Sequence, residues 1–217
     1  TNGIVINGDV TAATGASTIT LGDTNTGVNV TGDSTIGGAA TGLIDMGDVL
    51  MADGVTLTVG SGTSNAINLD AITGTNLGTA SNLTINTTGV VAVSDAIGTD
   101  IGTVTITQSG GTTFNSTVAA KTFTLTDTAD SATVSFVGNL TVTTGMSTGS
   151  DAFNVSLTGA SNTIAGTTTF SNTGTLTLGN GGDTSAFTGG VVATAQTGET
   201  NGIVINGDVT AATGAST

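Results

Sequence analysis

The sequence predicts an all-β chain folded as a parallel β-helix, a β-solenoid. Three observations carry that prediction. Short apolar runs alternate with hydroxyl residues at period two. Turn-forming clusters of Gly, Asn, Asp and Ser punctuate them at regular intervals. Helical periodicity is missing: no apolar stripe at i, i+3, i+4, i+7 appears, and the abundant Thr and Gly are poor helix formers.

Along the chain the alternating runs are Thr18–Leu21, Val55–Val59, Asn82–Ile85, Thr103–Ile106, Thr122–Leu125, Leu140–Thr143 and Thr175–Leu178. Each puts β-branched or apolar side chains on one face and hydroxyls on the other. A second pattern sets a coil length. Phe114, Phe136, Phe153, Phe170 and Phe187 each precede a small turn, and the last four recur at one constant spacing. Ile6, Val30, Met46, Ile67 and Val93 extend the same slot toward the N-terminus, and Ile205 repeats it. Read as one column, these residues predict about ten coils of ~20 residues per 199-residue period. A β-sandwich also uses short strands. It does not produce one-coil columns of like residues, nor run into a repeat without a linker. The twist preference of parallel crossovers predicts a right-handed coil.

The period comes from an exact duplication. Residues 1–18 and 200–217 both read TNGIVINGDVTAATGAST, an offset of 199. The chain is therefore read as one tandem-repeat period, 1–199, forming a continuous solenoid, followed by 200–217 as the first coil of the next copy. The two copies are expected to occupy equivalent places at opposite ends of a rod, related by translation with a modest twist. Stacked coils share a core that no single coil can bury, and open ends invite further stacking.

Composition narrows the function. Only 3% of residues are aromatic, which suits a thin core rather than a thick globule. A single base, Lys121, stands against 15 acids, for a net charge of −14. That balance excludes phosphate neutralisation and hence nucleic-acid binding. No apolar run approaches the length that a spanning helix needs, so no membrane insertion by this segment is expected. Cys is absent, which removes disulfides and thiolate metal sites.

Catalysis finds little support. The chain has no His, Cys or Tyr, so the common bases and nucleophile pairs are missing, and no enzyme activity is expected. Lys121 follows Val118-Ala119-Ala120 and reads as a solvated turn lysine. Paired carboxylates suited to glycoside hydrolysis are Asp127 with Asp130, Asp95 with Asp100, and Asp45 with Asp48, each in or near a turn where Asp is a normal turn former. No cofactor is expected beyond calcium, for which oxygen ligands are plentiful. The densest acidic patch, Asp45, Asp48 and Asp53, is the calcium candidate. Gly179-Asn180-Gly181-Gly182-Asp183 resembles the Gly-rich calcium nonapeptide but occurs once. Asn-x-Ser/Thr triplets begin at Asn29, Asn82, Asn86, Asn115, Asn139 and Asn154. Ice binding by a Thr ladder needs uniform coils, and the steps read here vary.

The stretches GTVTITQSGGTTFNSTVAAKTFTLTDT, SFVGNLTVTT and NTIAGTTTFSNTGTLTLGNGGDTSAFTGGVVAT resemble the β-strand-repeat regions of large bacterial surface proteins. These are filamentous-haemagglutinin-like and autotransporter-passenger-like adhesins and S-layer-like proteins. The resemblance covers most of residues 80–217 and is one of style and composition. It implies a right-handed β-helix exported to the cell surface. The expected function is a structural extracellular fibre or stalk for coating, spacing or adhesion. Its partners would be copies of itself end to end, and cell-surface glycans or other cells. A carbohydrate-binding or carbohydrate-cleaving β-helix and a calcium-dependent adhesin repeat are the alternatives.

Overall fold

A computed structural model describes residues 3–23, 25–76, 78–194 and 202–211. It shows an all-β solenoid of about nine turns, with no helix among the described residues. All seven alternating runs form strands, and every strand ladder is parallel. Pairing in register with the next coil satisfies the backbone N–H and C=O groups of each strand, which is what lets so simple a sequence fold.

Each coil visits three walls. Wall one begins with Ile4–Ile6, continues through Val28–Val30 and Val49–Met51, and reaches Thr184–Phe187 and Asp208–Thr210. Wall two runs from Val10–Thr11 and Ser34–Gly37 to Thr168–Phe170 and Val191–Ala193. Wall three is a separate nine-stranded sheet, from Ile19–Leu21 and Ile44–Met46 to Leu176–Leu178 and Ile203–Ile205. The long strands Val118–Leu125 and Leu140–Thr148 turn the corner from wall one to wall two without a loop. Lys121 sits on that corner, exposed, where the register shifts between Ala120 and Thr122. It is thus a corner residue of a strand rather than a turn residue.

Coil length follows from the register of wall three. Leu21 leads through Met46, Leu69, Val93, Phe114, Phe136, Leu157 and Leu178 to Ile205. Eight steps thus carry the wall from Leu21 to Ile205, an average coil of about 23 residues. The expected column was partly right. Met46, Val93, Phe114, Phe136 and Ile205 do stand in one row of wall three, whereas Ile6 and Val30 pair with each other in wall one and Ile67 lies in the neighbouring wall-three row with Val91. Phe170 ends a wall-two strand and Phe187 a wall-one strand, while Phe153 precedes the strand Asn154–Leu157. The constant step between these Phe residues carries the chain only about three quarters of the way round a coil, so it slides from wall to wall. Counting each step as a full coil gave ten coils where there are about nine.

All the Phe side chains are nonetheless buried. Phe114 and Phe136 stack at 4.9 Å between ring centroids, and Phe123 closes on both from wall two, at 5.8 and 5.1 Å. Phe170 and Phe187 meet edge to face at 6.1 Å. Such pairs add about 0.5–1.5 kcal/mol beyond area burial. Elsewhere the core is ladders of Val, Ile, Leu and Met, as in the wall-two row Leu57, Leu83, Val104, Phe123 and Met146.

A second buried feature escaped the sequence reading: a polar seam along the corner from wall two to wall three. Asn65 Nδ2 donates to the Ala40 and Gly42 carbonyls at 3.0 and 2.6 Å. The Thr87 hydroxyl lies between the Thr63 and Asn65 carbonyls, at 2.8 and 2.5 Å, and shares its one proton between them. Higher up, Ser109 and Thr128 share a hydroxyl bond at 3.0 Å, and Asn172 Nδ2 donates to the Phe153 carbonyl at 3.1 Å. Corner backbone leaves the ladders, so buried side chains must supply its partners. Gly60 belongs to the same corner. Its φ of 89° is left-handed, and a Cβ there would lie 2.2 Å from the Asn86 carbonyl of the next coil.

Candidate functional site

The predicted site residues fall on the outside of the solenoid, and the structure does not gather them. Asp45 is half-buried in wall three, in register with Thr20 and Asn68. Asp48 lies exposed at the following corner, where Oδ1 accepts the Ala71 N–H at 3.3 Å. Asp53, also exposed, accepts the Thr75 hydroxyl. Among the described residues no three acids cluster closely enough to hold a metal ion. Of the paired carboxylates, Asp130 and Asp95 are exposed, and Asp127 and Asp100 half-buried. Asp100 follows Thr99 in left-handed backbone, with φ of 59° and 52°, and its Oδ2 is buried without a hydrogen bond among the described residues.

What the Asp and Asn side chains do is tie coil to coil. Asp9 Oδ1 accepts the Thr35 N–H at 2.8 Å, and Asp33 Oδ1 accepts the Thr56 N–H at 2.8 Å. Asn82, Asn139 and Asn154 do the same for Thr103, Ser161 and Thr175, at 2.9, 3.0 and 2.7 Å. Each bond spans one coil, so these residues are clamps between successive turns. Asn86 Oδ1 likewise accepts the Gln108 side-chain amide at 3.1 Å, so four of the six Asn-x-Ser/Thr triplets have their asparagine oxygen engaged in the stack. Asp23 differs: its Oδ1 accepts the Asn25 and Thr26 N–H groups within its own turn, at 2.8 and 2.7 Å. Those backbone bonds, Asn25 first, hold its carboxyl below the usual 3.8.

Among the described residues, neighbouring large apolar side chains are exposed together at the end of the solenoid, 202–211. Ile203, Val204 and Ile205 are exposed there, and Val191, Ala193 and Val209 only half-buried. All of these except Val204, together with Leu176 and Leu178, line an apolar groove of about 220 Å³. Each strand of this end presents one row of N–H and C=O groups along the solenoid axis, away from the coil beneath it. Chemically this is a template for another β-coil: an apolar floor framed by backbone hydrogen-bonding edges.

Comparison with protein-family models, with curated proteins and with solved structures returned no match.

Proposed function

We propose that this chain is a stretch of a rigid structural fibre or stalk, non-catalytic and displayed outside the cell, in which copies of the 199-residue unit follow one another end to end. The observation that carries this reading is the second copy of the duplicated segment. Ile203–Ile205 stack on Leu176–Leu178, and Asp208–Thr210 on Thr184–Ala186, so the described strands that begin the second copy add to the ladders of the first. The composition and the resemblance to filamentous-haemagglutinin-like, autotransporter-passenger-like and S-layer-like repeats support surface display in coating, spacing or adhesion. One period carries 14 acids and one lysine, a charge of −13. Eight to nine coils at about 4.8 Å each spread this over roughly 42 Å. With a Debye length of about 8 Å in physiological salt, neighbouring fibres repel sideways while strands pair end to end.

Two measurements test the proposal. The native polypeptide on a denaturing gel should run as several multiples of the 199-residue unit, and electron micrographs should show unbranched rods. Millimolar divalent cations or acid should bundle those rods by neutralising the carboxylates. A native chain of about one period, seen as discrete particles, would overturn the reading.

A further inference from the structure

Gly3–Thr11 and Gly202–Thr210 are the same nine residues, and they form the same two strands on different walls. Ile4–Ile6 belong to wall one and Val10–Thr11 to wall two. Ile203–Ile205 belong to wall three and Asp208–Thr210 to wall one. The expected translation is therefore not what the structure shows. Following wall one from Ile4–Ile6, nine steps lead to Asp208–Thr210, one wall beyond Ile203–Ile205. The duplicated segment recurs after nine coils less one wall, which is eight and two-thirds coils. The average coil length agrees, since a period of 199 divided by about 23 is about 8.7.

Resting on the fibre reading, we propose that successive copies are joined by a screw of two-thirds of a turn, and that the open end at 202–211 is the docking surface for residues 19–37 of the next copy. The register is already written in the first copy. Ile4–Ile6 pair with Val28–Val30, and Val10 with Ile36. The next copy's Val28–Val30 therefore seat on Ile203–Ile205, its Ile36 on Val209, and its Ile19–Leu21 on Val191–Ala193. The inward side chains Val28, Val30 and Ile36 are fully buried in the first copy, and their counterparts fill the apolar groove. Polar contacts repeat as well. Asp9 accepts the Thr35 N–H, and the Gly8 N–H donates to the Ser34 hydroxyl at 3.0 Å. Asp208 and Gly207, the same residues one period on, offer that acceptor and donor to the coil that follows.

Identical surface features then face three directions in turn, and the pattern closes after three copies, on a whole number of coils. Under a plain translation every Lys121 would line the corner between walls one and two, and every exposed Val137 the corner between walls three and one, giving two continuous stripes, one charged and one apolar. The screw distributes them around the rod.

Paired cysteines distinguish the two arrangements in a chain that has none of its own. Thr177 and Val204 are register partners, both on the outer face. Adjacent strands lie about 4.8 Å apart, within disulfide reach. Under translation Val204 would instead stand over Ala186, the place that Thr210 holds. Oxidation of T177C/V204C should consume both thiols in a monomer, while A186C/V204C keeps both. Closure of the second pair, of both pairs or of neither overturns the screw. The fibre reading is judged separately, on chains of three consecutive copies viewed by electron microscopy. Separate beads would sink that reading, whereas a rod in which A186C/V204C closes sinks the screw alone.

Discussion

Ile6 and Ile205 stand in identical sequence and in opposite environments. Ile6 is 4% exposed and Ile205 60%. Ile6 lies beneath Val30 of the next coil, whereas Ile205 rests on Leu178 with no described coil above it. Each has a ladder partner on one side only, so the difference lies in how much of the solenoid the chain after it goes on to build, not in the nine residues themselves. Fully burying an Ile or Val side chain stabilises by about 1.5–3 kcal/mol, so every coil added on top contributes several such terms together with a new row of hydrogen bonds. That is the energetics of a one-dimensional stack, in which end coils are the weak ones.

The largest effect expected from this contrast is in the middle of the stack. Phe136→Ala removes a ring packed against both Phe114 and Phe123 and should cost about 3–5 kcal/mol, read as a lowered denaturant midpoint. Next comes the matched pair. Ile6→Ala should cost about 2 kcal/mol or more, and Ile205→Ala less than about 0.5 kcal/mol in this chain. In a chain carrying a further copy, the Ile205→Ala cost should rise to that of Ile6→Ala; equal costs in the present chain would break the comparison. Asn65→Ala should cost about 1–3 kcal/mol by removing the amide that serves the Gly42 carbonyl and, beside the Thr63 hydroxyl, the Ala40 carbonyl, with faster amide exchange confined to the coils that the seam ties together.

The smallest effect concerns Asp23, near the lower end. Its folded carboxyl titrates below its unfolded value because the ionised form accepts two backbone N–H groups. It therefore stabilises the turn above the usual carboxylate range, and the contribution is lost as pH falls through the folded value. The group is exposed, so the effect should be slight. A carboxyl carbon NMR titration midpoint below 3.8 is expected, and a midpoint at or above it would refute the assignment.

How much of this could be read beforehand depended on strand length. Runs of four or five alternating residues, such as Val55–Val59 and Thr122–Leu125, declared themselves and form strands. Three-residue strands such as Ile44–Met46 and Val49–Met51 are too short for period two to register. The coil register was misread because corners vary in length, and because evenly spaced Phe residues looked like one column while occupying three walls. The polar seam was invisible for another reason: Asn65, Thr87 and Asn172 sit among Gly, Ser and Thr, in what reads as ordinary turn. The Gly-Asp steps were legible as turns, but not as clamps between coils, since Asp9 and Thr35 are 26 residues apart. The open end could be inferred from the duplication, whereas its one-wall offset needed the register of every coil between.

In the proposed fibre a new copy continues the old solenoid through the junction. Cryo-electron microscopy of a chain of three consecutive copies tests this continuity most directly. The expected result is one unbroken strand spacing of about 4.8 Å through both junctions, with copies recurring every roughly 42 Å along the axis. A hinge, a gap in the strand ladder or a separate folded body at each 199-residue boundary would contradict it.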